Sequence, residues 1–171
     1  GPALRLTGHT EKLAWVTAGA GAWPWYLGFV SNFRNALDQR FTNPALDVAW
    51  SLGVEVQFYA LVFIVARVAA PGRWPRLAWM AAGIALLFRI AAVLGGMAWI
   101  PILVLTPGRL DCFAFGALAA LTPQILARVP SGLAWSVLAL PVVLPWSREY
   151  PAVEIGGYSL LAIAAGVAIQ R

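Results

Sequence analysis

An all-α fold, a polytopic bundle of transmembrane helices, is the class that this sequence predicts, on three observations. Hydrophobic residues make up 61% of the 171 and charged residues only 11%, against about 25% charged in an ordinary soluble domain. Several apolar runs approach or reach the roughly 20 residues that cross a bilayer as a helix. Those runs are continuous and do not alternate with a period of two, which argues against a β-barrel.

About six membrane segments follow in order. Leu13–Phe33 is the first, and Pro24 with three glycines predicts a kink in it. Val48–Ala70, Leu77–Met97 and Arg109–Ala127 are the clearest runs. Leu133–Trp146 is short and carries Pro141 and Pro145, so it is expected to be broken or interfacial. Glu154–Ile169 is short as well. Between the third and fourth segments, Trp99–Leu105 reads as a re-entrant or interfacial piece. The whole, residues 1–171, is expected to be a single transmembrane domain, incomplete at both ends and cut from a larger bundle.

Charge and cysteine usage narrow the classes further. The net charge is +5, but the basic residues stand singly between apolar runs, which suits juxtamembrane anchoring and not nucleic acid. Arg67, Arg73 and Arg76 flank the turn "PGRWPR". Placing that turn in the cytoplasm puts Arg5, Lys12, Arg128 and Arg171 on the same side, as the positive-inside rule prefers. Most tryptophans fall near predicted segment ends, as an aromatic belt would. The single Cys112 excludes an internal disulfide and a cysteine metal site. His9, the only histidine, lies in a polar leader, so the chain has no Ser-His-Asp set, and no metal is expected.

The polar residues inside apolar runs carry the functional information. In "AWSLGVEVQFYALVF", Ser51, Glu55 and Tyr59 are four apart and share one helix face, while Gln57 points elsewhere. A carboxylate there must face a polar interior, pair with a cation or be protonated. Arg89 in "ALLFRIAAV" always carries its charge and needs an acid, carbonyls or an anionic ligand. Glu55, on the preceding antiparallel helix, is its expected partner. In "TPGRLDCFAFGALAAL", Thr106 is expected to cap, Pro107 to open the helix, and Asp111 to sit in the first turn, where the dipole favours an acid. Arg109 opposes that dipole and so answers an acid or a ligand. Gly116 and Ala120 predict close helix packing.

The stretch "WSLGVEVQFY" resembles a signature of the type 3 membrane acyltransferases, bacterial integral-membrane O-acyltransferases. Trp50, Ser51, Leu52, Glu55, Gln57, Phe58 and Tyr59 match its pattern. "YLGFVSNF", with Asn32, is similar to the segment that precedes it. Arg89 and "GRLDCFAFGALAA" are similar to the family's intramembrane arginine and its Arg-Leu-Asp helix start. The likeness runs in order over residues 20–125. Val48 and Val56 depart from it, and the family's amino-terminal helix with its histidine has no counterpart here.

The resemblance implies transfer of an acyl group, acetyl foremost, from acyl-CoA (acetyl-CoA) to a hydroxyl of a cell-surface glycan or lipid-linked sugar. It places the chain in the bacterial cytoplasmic membrane, among membrane lipids, and makes an isolated middle section inactive. It implies a catalytic role for Glu55, with Ser51 and Tyr59 holding it. Trp50, Asn32, Arg89, Arg109 and Asp111 become candidate substrate-binding residues. The alternative from the residues alone is a proton-coupled transporter or flippase fragment built on a Glu55–Arg89 pair.

Overall fold

The computed structural model describes residues 21, 23–41, 46–126, 128–143 and 150–169, and the regular structure among them is all helical, with no strand. Two short helices come first, α1 (Trp23–Leu27) and α2 (Ser31–Asp38). The predicted first segment is therefore not one kinked helix over its described part. The chain breaks between α1 and α2 at Phe29, which takes φ 55°, a left-handed conformation uncommon for a bulky residue. Leu13–Ala20 and the leader with His9 lie outside the described residues.

α3 (Ala49–Val68) follows, free of proline, and ends where Ala69 turns extended before Pro71. The tight turn Pro71–Arg73 reverses the chain into α4 (Trp74–Leu94), opened by Pro75 in its first turn. This helix starts and stops three residues earlier than the hydrophobic run suggests, because Gly95 and Gly96 end it and Gly96 takes φ +71°. α3 and α4 are the described helices long and apolar enough to cross a membrane. At 1.5 Å per residue each is about 30 Å long, the thickness of a bilayer core.

Their side chains face outward to an unusual degree. Only 11% and 28% of the apolar windows of α3 and α4 are buried in the protein. Leu61, Phe63, Ile64 and Val68 of α3 and Met80, Ile84 and Leu87 of α4 are all exposed. A soluble core helix would bury such residues against protein.

After α4 the chain folds inward as α5 (Trp99–Val104), whose residues Ile100 to Val104 are all buried. This short buried helix stands where a re-entrant piece was expected. A 3₁₀ turn, Thr106–Arg109, leads into α6 (Leu110–Leu121). The predicted fourth segment is thus cut to twelve residues, about 18 Å at helical rise, and Thr122 leaves helical geometry before the short α7 (Pro123–Leu126). α8 (Ser131–Val143) carries Pro141 inside it. A π-helical turn, Val153–Gly157, then opens α9 (Tyr158–Ile169), and this close stands near the expected sixth segment. Residues 144–149, with Pro145 and Trp146, lie outside the described residues.

α6 is the hub. It packs on α4 through Ala78, Ala82, Ala114, Phe115 and Leu118, where alanines let the helices approach closely. α9 packs on α8 and α6 through Ala134, Ala164 and Val167. α2 and α5 meet near Ile100, Leu103 and Val104, with Trp50 and Tyr158 against them.

Candidate functional site

Arg89, fully buried on α4, is the centre of a charged polar cluster. Its guanidinium does not meet Glu55. Nη2 donates to Asp111 Oδ2 at 2.8 Å and to Ser159 Oγ at 2.6 Å, Nη1 to the Gly108 carbonyl at 2.8 Å, and Nε to the Ile155 carbonyl at 2.9 Å. Ser159 in turn donates to Asp111 Oδ2 at 2.5 Å. Arg89 and Asp111 both have 0% side-chain exposure, so the pair is stable only because hydrogen bonds answer most of its polar atoms. Gly108 is required there: a Cβ would lie 2.5 Å from the Ile102 carbonyl oxygen. The cluster ties α4, the start of α6 and the π turn before α9 together. Its donors are spent on protein, which corrects the expectation that Arg89 pairs with Glu55 and leaves it little capacity for a substrate anion.

A second cluster is made of neutral groups. Asn32, buried on α2, and Gln57 of α3 pair their amides: Gln57 Nε2 donates to Asn32 Oδ1 at 3.0 Å, and Asn32 Nδ2 to Gln57 Oε1 at 3.4 Å. Asn32 also donates to the Val104 carbonyl at 3.3 Å, and Gln57 to the Phe29 carbonyl at 3.0 Å. The Thr106 hydroxyl donates to Gln57 Oε1 and does not cap a helix. Gly53, one turn before Gln57, lets α3 lie against this corner, since a Cβ would sit 2.8 Å from the Phe29 carbonyl oxygen. Gln57 was expected to point away from the polar stripe. It does, and the direction it points in holds a polar knot of its own.

Glu55 stands apart from both. It is half-buried and accepts a 2.5 Å hydrogen bond from the Tyr59 hydroxyl one turn on. Ser51 does not join them, because its hydroxyl donates to the Val48 carbonyl of its own helix at 2.9 Å. Three and seven residues after Glu55, on the same side of α3, Phe58 and Val62 line an apolar cleft between α3, α4 and α6 of about 330 Å³. Phe58 stacks on Phe113 with ring centroids 4.0 Å apart. The cleft reaches Trp74 at the Pro71–Arg73 turn, where Arg73 and Arg76 are exposed.

Arg109 and Trp50 are brought together, but away from Glu55. The guanidinium lies between the rings of Trp50, at 5.5 Å, and Tyr158, at 4.2 Å, and Nε donates to the Leu103 carbonyl at 2.9 Å. Gly116 and Ala120 were expected to pack a helix closely. Both are exposed, and nothing lies within 4 Å of a Cβ built on Gly116. No group of three or more His, Cys, Asp or Glu residues suited to a metal ion occurs among the described residues.

Of the residues singled out in the sequence, the structure joins Arg89 with Asp111, Trp50 with Arg109, and Glu55 with Tyr59. Ser159 and Thr106 were missed as partners. A lone serine in the apolar run "GGYSLLAIAAGV" was the available signal for the first. No family model, curated protein or solved structure matches the chain.

Proposed function

We propose that this chain is the middle part of a membrane-embedded O-acyltransferase, with about six membrane segments, in a bacterial cytoplasmic membrane. The observation that carries the proposal is the Glu55–Tyr59 pair. It is a carboxylate held by a 2.5 Å hydrogen bond, three residues before Phe58 of the apolar cleft, on the helix that bears the resemblance to the type 3 membrane acyltransferases.

Glu55 lies thirteen residues from the cytoplasmic end of α3, about 20 Å at helical rise. Arg73 and Arg76 at that end attract the phosphates of an acyl-CoA, and the cleft takes the apolar part of the donor. Glu55 then acts as general base. It removes the proton of an acceptor hydroxyl as the hydroxyl oxygen bonds to the thioester carbonyl carbon. The carbon–sulfur bond breaks, the sulfur leaves as thiolate and takes up a proton, and the products are an O-acyl ester and free CoA. Tyr59 holds the carboxylate in place. Arg89 and Asp111 have a structural role here. They fix the start of α6, and the Glu55–Arg89 couple that a transporter would use is not formed.

The test is Glu55→Gln in the longer enzyme that this proposal implies, inserted in membranes and supplied with labelled acyl-CoA and a cell-envelope fraction. The expected result is a loss of transfer of about 10²–10⁴-fold, the usual share of a general base, with insertion unchanged. Undiminished transfer would remove Glu55 from the chemistry. No transfer by the unaltered enzyme from any acyl-CoA would overturn the acyltransferase assignment itself.

A further inference from the structure

A second concavity runs along the other side of α6, between it, α8 and α9, with a volume of about 660 Å³. That is within the range of small-molecule sites. It exists because the residues lining it are small: Gly116 and Ala120 on α6, Ala162, Ala165 and Gly166 on α9. Arg109 and Tyr158 close one end and Ile169 lines it further along.

Arg109 makes this groove more than a seam between helices. Its charge is permanent, yet among the described residues no carboxylate pairs with it. The salt bridges found there are Arg34–Asp38 and Arg89–Asp111. One carbonyl, the Cys112 sulfur and two aromatic faces are its partners, and these neutral groups offset only a part of the cost of a half-buried cation. The groove thus presents an anion site at one end and an apolar trough beyond it. From Arg109 to Ala120 the helix rises about 16 Å, half of a bilayer core of about 30 Å. That is the depth of one leaflet.

We propose that this groove binds an anionic phospholipid, with the headgroup phosphate on Arg109 and one acyl chain along Gly116 and Ala120. One molecule supplies both complements, charge at the end and hydrocarbon along the trough. The site is independent of the acyl-transfer chemistry and stands or falls without it.

The chain itself provides the probe. Cys112 is its only cysteine, and it lines the groove beside Arg109. The experiment is alkylation of Cys112, read on its own peptide by mass spectrometry, in the detergent-solubilised longer protein, with added dioleoyl phosphatidylglycerol or dioleoyl phosphatidylcholine. Phosphatidylglycerol is expected to slow alkylation about fivefold more than phosphatidylcholine, the size of one basic residue's attraction to anionic lipid. Arg109→Gln should abolish that preference and Arg109→Lys keep most of it. Gly116→Leu, which meets no neighbour at Cβ, should weaken protection by both lipids. Because the lysine and leucine variants leave the charge and the Leu103 contact region respectively in place, loss of folding in the glutamine variant would not spoil the test.

Four results would overturn the proposal. Equal protection by the two lipids would reduce the groove to ordinary lipid contact. A preference that survives Arg109→Gln would place the anion elsewhere. Full protection by glycerol 3-phosphate alone would leave the trough without a role. Protection without lipid that rises with protein concentration, together with a doubled mass, would make the groove an interface between two copies.

Discussion

Arg89 and Glu55 stand on consecutive helices, each a charge within an apolar run, and the protein treats them in opposite ways. Arg89 is fully buried and makes four hydrogen bonds, one of them to an equally buried carboxylate. Glu55 is half-buried and, among the described residues, accepts one hydrogen bond, from a neighbour on its own helix. A saturated charge is a fastener, because moving it would strand several groups at once. A charge with spare lone pairs that is only half-buried can exchange a proton or meet a ligand without unmaking the fold. Completeness of coordination, more than depth in an apolar run, separates the ion fixed in place from the one left free to act.

The sharpest way to break that contrast is at Arg89. Arg89→Met removes the cation and leaves the Asp111 charge buried with only the Ser159 hydroxyl and the Cys112 backbone N–H donating to it. The expected loss is about 3–5 kcal/mol, the usual consequence of stranding one member of a buried pair. Thermal unfolding in detergent, or the yield of folded protein in membranes, measures it. The double variant Arg89→Met with Asp111→Leu should recover a good part of the loss, since an apolar pair strands no charge. Recovery of nothing would mean that the bonds to the Gly108 and Ile155 carbonyls, not the ion pair, do the fastening.

The neutral knot around Asn32 should fall between the extremes. Gln57→Leu leaves the Asn32 side-chain oxygen without its donor and the Thr106 hydroxyl without its acceptor, and releases the Phe29 carbonyl, while Asn32 Nδ2 keeps the Val104 carbonyl. An effect of about 1–3 kcal/mol is expected, the cost of leaving a buried polar group unsatisfied. Phe29 is strained, and the Gln57 amide is one of the bonds that hold it. Increased proteolysis between α1 and α2 in this variant, beyond that in Asn32→Leu, would show that strain being released.

Much of this arrangement is legible in the sequence, and the residues show where legibility stops. Continuous apolar runs give helices α3 and α4, because length and hydropathy set a helix of membrane-crossing size whatever it packs against. The end of α4 is misplaced by three residues because two glycines outweigh the hydropathy of Met97. Arg89, Asp111 and Glu55 are visible as charges that need answers. The pairing among them is not, because adjacency in sequence order favours Glu55 for Arg89, while the buried α5 carries the chain back so that Asp111 arrives instead. Gln57 lies off the Ser51–Tyr59 stripe, so the stripe gives no sign of its role. A helix has several faces, and the one toward α2 is fixed by tertiary contacts that periodicity does not encode. Gly116 and Ala120 mislead in the other direction, since small residues permit close packing without requiring it.

Glu55 itself should give the smallest effect on stability, and that is what makes it informative. Glu55→Gln keeps an oxygen able to accept the Tyr59 hydroxyl, changes almost no volume and removes a charge from an apolar stretch. Its unfolding midpoint is expected to shift by the equivalent of about 0.5 kcal/mol or less, within the range of substitutions that break no buried network. Tyr59→Phe, which deletes the bond altogether, should cost about 0.5–1.5 kcal/mol. The two variants measured side by side test the contrast with Arg89 directly. If Glu55→Gln destabilises as strongly as Arg89→Met, the carboxylate is a second fastener and its partner lies beyond the described residues. If it is silent in stability, any loss of acyl transfer that it causes belongs to the chemistry and cannot be assigned to a damaged fold.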